Sequence, residues 1–249
     1  MKKRVYTFLE IVFICVFIFA AYKMYTIIAN YNEGDEIYED AQSTYTSSDE
    51  ENEDEELKID FEKLKETNKE ILGWIYIPDT PVSYPLLHTN NNQYYLKHTY
   101  NHTYSDFGSI FINSTSSIDL TDDNTIVYGH NTKNGSMFGS LKKYKDNDYL
   151  KEHPYIYIIY EDYTYTYEIV SEFTTDTSYK VYTTMFDTRQ DFRDWQKEMY
   201  ANAVNNYGEI KPDGKEKIVT LSTCTSRTET ERFVVIGQLI NTEKTNQGE

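Results

Sequence analysis

"EKIVTLSTCTSRTETERFVVIGQLI", Glu216 to Ile240, decides how this chain folds. Two runs rich in β-branched and apolar residues, 216–223 and 232–240, flank a polar stretch of about eight residues. Such runs read as strands, and a polar link this short joins them as an antiparallel hairpin. Cys224 then ends the first strand and Arg232 begins the second, so they meet across the mouth of the hairpin. Arginine stays protonated and offers a rigid fork of donors, suited to a carbonyl oxygen on which charge develops. The competing reading makes Cys224 a strand-end packing residue and Arg232 the ion-pair partner of Glu229 or Glu231, worth little if exposed. On this stretch alone the two readings stand level.

The pattern repeats upstream. "GWIYIPDTPVSYPLL" gives two short strands around a turn marked by Pro78, Asp79 and Pro81. "GSIFIN" from Gly108 and "NTIVYGHN" ending at His130 are two more, and "YIYIIYEDYTYTYEIVSEFT" is a long hairpin turning at Glu161 and Asp162. "LKIDFEKLKETNKEILGW" carries apolar residues at helical spacing, which predicts an amphipathic helix from Leu57 to about Asn68. "SMFGSLKKY" predicts one or two helical turns, and "TRQDFRDWQKEMYANAV" a further helix through Phe192, Trp195 and Met199. About eight short strands at this spacing, with helices early and late, predict a barrel rather than a parallel α/β sheet.

The flanking segments differ in kind. Lys2, Lys3 and Arg4 precede an apolar stretch from about Phe8 to Ile28, broken only by Glu10 and Lys23. Roughly 20 such residues span a bilayer, and the basic end belongs on the cytoplasmic side. Residues 1–29 are therefore expected to be a single-pass anchor with the remainder outside the cell. The cleaved-signal alternative is weaker, because Phe19 spoils the small-residue site at Ala20 and Ala21. Residues 30–56, ending in "SSDEENEDEE", are expected to be an acidic solvated tether, since such composition buries too little apolar surface to order itself. The folded domain is placed at 57–241, and 242–249 is expected to be a disordered tail.

The chain has 249 residues and a formal net charge of -17, which argues against a nucleic-acid groove. Its two cysteines, Cys15 and Cys224, form no disulfide framework; Cys15 falls within the apolar span. Cys224 is left as a lone thiol on the outer side, where thiols oxidise, so it calls for a reason. A cysteine nucleophile needs a proton partner, usually histidine. Of His88, His98, His102, His130 and His153, the one best placed is His130, at a strand end after Gly129 and before a Gly/Asn-rich loop. Scattered histidines with one outer cysteine give no metal-ligand pair at short spacing, and no Gly-rich phosphate loop is present.

Taken together, "TLSTC" at Cys224, "RFVVIGQLI" at Arg232, "IVYGHN" at His130, "NNQYYLKH" (91–98), "GSIFI" and "MFGSLKKY" resemble the sortases, class B in particular. The resemblance covers roughly Leu57 to Ile240. It implies an eight-stranded sortase-type β-barrel with an N-terminal helix and an extra helix, about Thr188 to Val204, before the catalytic strand. It implies a Gram-positive cysteine transpeptidase that needs no cofactor. Such an enzyme cleaves a C-terminal sorting motif of a secreted protein and passes the acyl group, through a thioester, to an amine of a peptidoglycan precursor or another surface protein. Carried over by position, Cys224 is the nucleophile, His130 the general acid and then base, and Arg232 the oxyanion holder. Asn92, Leu96, Tyr128, Ser222 and Thr223 line the substrate groove. Ser226 departs from the aromatic residue expected there, which bears on motif preference. A non-catalytic surface adhesion module and a purely hydrolytic cysteine peptidase are the alternatives.

Overall fold

The computed structural model describes residues 2–47, 57–205, 211–225 and 228–245. Eight strands form a closed barrel: β1 (Ile71–Tyr76), β2 (Ser83–His88), β3 (Ile110–Ile112), β4 (Asn124–Tyr128), β5 (Tyr155–Tyr160), β6 (Tyr163–Asp176), β7 (Ile218–Cys224) and β8 (Glu231–Lys244). The order around the barrel is β8-β6-β5-β1-β2-β3-β4-β7, and closure leaves no free sheet edge. The β2–β3 and β4–β7 pairs are parallel; the other pairs are antiparallel.

The hairpin that opened the sequence is β7–β8, and its near-continuous apolar run has a physical cause. Side chains alternate across a strand. On β8, Phe233 and Val235 enter the barrel interior, while Val234 and Ile236 join a second cluster outside it. Both faces are buried, so the strand shows no polar alternation. The outer cluster is covered by α4 (Arg189–Ala201), which contributes Phe192, Trp195 and Met199. Helix α4 starts where Thr188 accepts from Asp191 N, while Asp191 accepts the Thr188 hydroxyl proton in return. Burying Phe192 or Trp195 contributes about 1.5–3 kcal/mol each.

The expected strands are all present. "SMFGSLKKY" becomes a 3-10 helix over Gly139–Lys145, followed by α3 (Asn147–Glu152). The helix expected from Leu57 is shorter: α2 runs Phe61–Thr67, capped by Asp60 accepting from Lys63 N at 3.1 Å. Lys58–Ile59 instead pairs with Thr46–Ser47.

Two boundaries need correction. Helix α1 runs without a break from Lys2 to Tyr45, so residues 30–47 are not a solvated tether. Tyr31, Tyr38, Ala41 and Tyr45 lie on one face of α1, and Tyr38 and Ala41 are buried against the barrel. That stripe is amphipathic: Glu33, Glu36, Glu39 and Asp40 are exposed, while Asp35 is half-buried against the barrel's loops. The rest of the acidic run, 48–56, lies outside the described residues. The expected tail is also too long at its start, and its residues 246–249 lie outside the described residues. Thr242, Glu243 and Lys244 continue β8 opposite Tyr165, Thr164 and Tyr163, and Thr245 N donates to Asp162 O at 3.0 Å. Backbone pairing, indifferent to side-chain polarity, holds these residues.

Candidate active site

Cys224 is the last residue of β7, and its antiparallel partner on β8 is Arg232. This is the pairing the hairpin predicted. The Arg232 guanidinium makes neither of the anticipated ion pairs. Its Nη1 donates to the main-chain carbonyls of Glu229 at 2.8 Å and Glu231 at 3.0 Å. Glu231 uses its carboxylate to accept from the Thr225 hydroxyl. The turn backbone thus holds the fork in place while its charge stays unneutralised by those two glutamates.

His130 lies two residues beyond the end of β4, not on the strand. The parallel β4–β7 pair delivers it to Cys224, because Tyr128 is in register with Ser222 and Gly129 N donates to Ser222 O at 3.2 Å. The loop after His130 folds back on itself, with Phe138 N donating to His130 O at 3.0 Å. The ring is fixed by a 2.8 Å hydrogen bond from Nε2 to Leu96 O. A carbonyl only accepts, so Nε2 carries the proton and Nδ1 is the nitrogen left to exchange one. Burial lowers the His130 pKa below its usual 6.5, and the Leu96 carbonyl opposes that shift. The imidazole therefore favours its neutral form at pH 7.

Cys224, His130 and Arg232 share one groove of about 410 Å³ with Asn92, Leu96, Tyr128, Ser222 and Thr223. All the candidate residues are thus brought together. Asn92 sits on a 2.7 Å bond to Asn113 Oδ1 and accepts from Ser114 N at 2.7 Å. Thr223 Oγ1 is buried without a partner. Burial raises the Tyr128 pKa to about 12, with Tyr182 adding to the shift and Arg232 opposing it.

Gln93, Phe111, Gly129, Thr177 and Tyr182 also line the groove and were not assigned to it from the sequence. Tyr182 stands in the short helix Lys180–Tyr182 ahead of α4, and its hydroxyl bonds Ser222 Oγ at 2.9 Å. No local pattern marks it. Its place depends on how α4 packs on the barrel.

The other histidines lie elsewhere. His98 stacks on Tyr94 at 4.1 Å, His102 Nδ1 bonds the Tyr94 hydroxyl at 3.1 Å, and His153 Nδ1 bonds Pro78 O at 3.0 Å. His88 ends β2, opposite Ile112. Ser226 lies outside the described residues.

The family model for the sortase domain matches residues 75–240. Sortase B of Listeria monocytogenes is 34% identical over 235 residues, 93% of this chain and 95% of that protein. The chain belongs to the class B sortases. Sortase B of Staphylococcus aureus is 28% identical over 241 residues, covering 96% of this sortase and 98% of the relative. Among solved structures, Bacillus anthracis sortase B in complex with AAEK1 superposes with a TM-score of 0.73 at 30% identity, covering 86% of this chain and 99% of that one. The S. aureus sortase B–substrate complex gives 0.68 at 31% identity, covering 73% and 84%. The sortase is accordingly a cysteine transpeptidase that anchors surface proteins to the cell wall, on the eight-stranded barrel that the resemblance implied. Helix α4 is the extra helix expected before the catalytic strand.

Proposed function

We propose that Cys224, His130 and Arg232 carry the transpeptidation in this chain. The supporting observation is the Cys224–Arg232 register pair, set in the same groove as an imidazole whose Nε2 is already engaged. The Cys224 sulfur, as thiolate, attacks the scissile carbonyl of a sorting motif. Arg232 donates to the oxygen as it gains negative charge. The carbon–nitrogen bond breaks, and the leaving nitrogen takes its proton from His130 Nδ1. The incoming amine loses a proton to the neutral imidazole as it attacks the thioester. The carbon–sulfur bond then breaks and the sulfur leaves as thiolate. The reacting state requires a protonated His130, which burial makes a minority form at neutral pH. Asn92, Leu96, Tyr128, Ser222 and Thr223 line the groove that receives the peptide.

The substrates are secreted proteins bearing a C-terminal motif of the NPQTN or LPXTG kind, and the acceptor is an amine on a cell-wall precursor or another surface protein. The apolar part of α1 anchors the enzyme at the cell membrane with its N-terminus cytoplasmic. It is long and apolar enough to cross a bilayer, and its Phe13 and Phe17 are exposed.

The test uses the full chain in detergent with candidate motif peptides and an amine. Mass spectrometry is expected to find an acyl adduct on Cys224 and an amide product, both lost in Cys224→Ala. Hydrolysis that ignores the amine would identify a peptidase instead. No adduct with any peptide would sink the assignment.

A further inference from the structure

The C-terminal third of α1, Tyr31–Tyr45, bonds two segments next to His130 without lining the groove. One contact is at the loop that follows it. Asp35 Oδ2 accepts from Asn134 Nδ2 at 2.7 Å, and Asp35 Oδ1 accepts from the Ser136 hydroxyl at 2.6 Å. These residues form the tip of a loop closed at its base by Phe138 N to His130 O, with an Asn131–Met137 bridge above. The Asp35 carboxylate, with the Tyr31 hydroxyl accepting from Lys133 N at 3.4 Å, ties the tip to the helix.

The other contact is at Gly108. The Tyr38 hydroxyl donates to Gly108 O at 2.5 Å and lies 3.1 Å from Ser109 Oγ. Gly108 has φ +59°, and a Cβ there would lie 2.9 Å from His130 Cδ2 and 3.0 Å from Leu96 O. The imidazole rests against this backbone, beside the carbonyl that receives its Nε2 proton. Ser109 N in turn holds Tyr95 O at 2.8 Å, next to Leu96. The helix runs close here: Phe107 covers Gly34, whose added Cβ would meet the ring at 2.4 Å. A glycine inside a helix costs about 1 kcal/mol relative to alanine, so its presence fits the need for that approach.

We propose that Tyr31–Tyr45 is a positioning element for His130, with Asp35 clamping the tip of its loop and Tyr38 fixing the Gly108 backbone against which the imidazole lies. This rests on His130 being the group that moves the proton. Neither side chain reaches the groove, so both act through His130. Proton transfer depends steeply on the placement of the donor, and a 1 Å error costs as much as 100-fold.

The experiment measures kcat, KM and the pH profile on the full chain in detergent, with the His130 ring followed by NMR. Asp35→Ala and Tyr38→Phe are expected to lower kcat about tenfold or more, with the KM for the motif peptide within about twofold. The His130 pKa is expected to rise toward 6.5 as water reaches the ring. Ser136→Ala repeats the Asp35→Ala effect, and Ser136→Thr, which keeps the hydroxyl, restores the rate. Glu36→Ala, exposed on the same helix, is the neutral control. If kcat and the His130 pKa stay at wild-type values in Asp35→Ala and Tyr38→Phe, the proposal is wrong, whatever happens to the melting temperature. Full activity in His130→Ala would instead remove the premise, a different result.

Discussion

Arg232 shows how much a single residue can say before and after folding. Its spacing from Cys224 placed it correctly, because an antiparallel hairpin with a fixed turn length leaves little freedom in register. What spacing could not give was the state of the guanidinium. The glutamates that looked like its partners offer their backbone carbonyls, and the charge remains available to the groove. Arg232→Lys therefore keeps the charge but loses the fork. A lysine that bonds both Glu229 O and Glu231 O keeps a single donor, with no planar fork to aim it at an oxyanion. kcat is expected to fall roughly 10²–10³-fold, the range for losing one oxyanion donor, with peptide KM little changed. Steady-state kinetics on the variant decides this, and near wild-type kcat would mean that charge alone suffices.

His130 gives the residue-scale prediction for pH. Its folded pKa is lowered by burial, so the unfolded chain binds more protons just below pH 6.5. Its contribution to stability is present above 6.5 and is lost as pH falls through that value toward the folded pKa. Denaturant unfolding of wild type and His130→Gln between pH 7.5 and 5 is expected to show a steeper acid decline in the wild type. Parallel curves would contradict the buried neutral imidazole. The histidine was legible as a candidate from its strand end and following loop. Its neutrality was not, because burial depends on Leu96 and Gly108, residues far from it in sequence.

Among the elements, β6 carries the least expected group. Glu172 lies opposite Val235 on β8, fully buried, with Oε1 accepting from Asn205 Nδ2 at 3.0 Å and Oε2 without a partner. Desolvation raises its pKa to about 7, and Asn205 and Lys145 pull the other way. A raised carboxyl pKa stabilises the fold below the unfolded value near 4.5, and that stabilisation is lost as pH rises through about 7. Glu172→Gln keeps the acceptor for Asn205 and removes the charge. It is expected to match wild type at pH 4 and to exceed it by roughly 1–3 kcal/mol at pH 8, measured by urea unfolding. A variant less stable than wild type at both pH values would show the carboxyl is held by more than Asn205. Sequence reasoning placed this strand correctly from its β-branched and aromatic residues. It passed over Glu172 because one acidic residue within a strand looks like an outward-facing one. The same limit hid Tyr182, whose role depends on α4 crossing the outer cluster. Element type is a local property, whereas the side a residue faces is decided by partners far along the chain.

Across the whole molecule, the boundary between anchor and domain is where composition misleads. Acidic residues dominate 30–56 and made the segment look solvated, yet Tyr31, Tyr38, Ala41 and Tyr45 recur at helical spacing and were legible as a stripe. Folding joins the three tyrosines to Tyr84, Tyr100 and Phe107 through edge-on aromatic contacts: Tyr38–Tyr84 at 5.2 Å, Tyr45–Tyr100 at 6.1 Å and Tyr31–Phe107 at 5.6 Å. The stripe therefore covers barrel surface that lies beyond a domain boundary at Leu57. A chain beginning at Leu57 would expose Tyr84, Tyr100 and Phe107, leave Gly108 O without the Tyr38 hydroxyl, and unpair Lys58–Ile59 from Thr46–Ser47. Each large side chain returned to water costs about 1.5–3 kcal/mol, and each kcal/mol moves the midpoint by roughly 2–4 °C for a domain of this size. A chain beginning at Asn30 keeps the whole stripe and loses only the exposed apolar half of α1. Thermal unfolding of the two truncations, followed by near-UV circular dichroism of the tyrosines, is expected to place the Leu57 form about 10 °C or more below the Asn30 form. Equal midpoints would mean that the stripe rests on the barrel without supporting it. A lower midpoint for both forms than for the full chain would instead assign the stabilisation to the apolar half of α1.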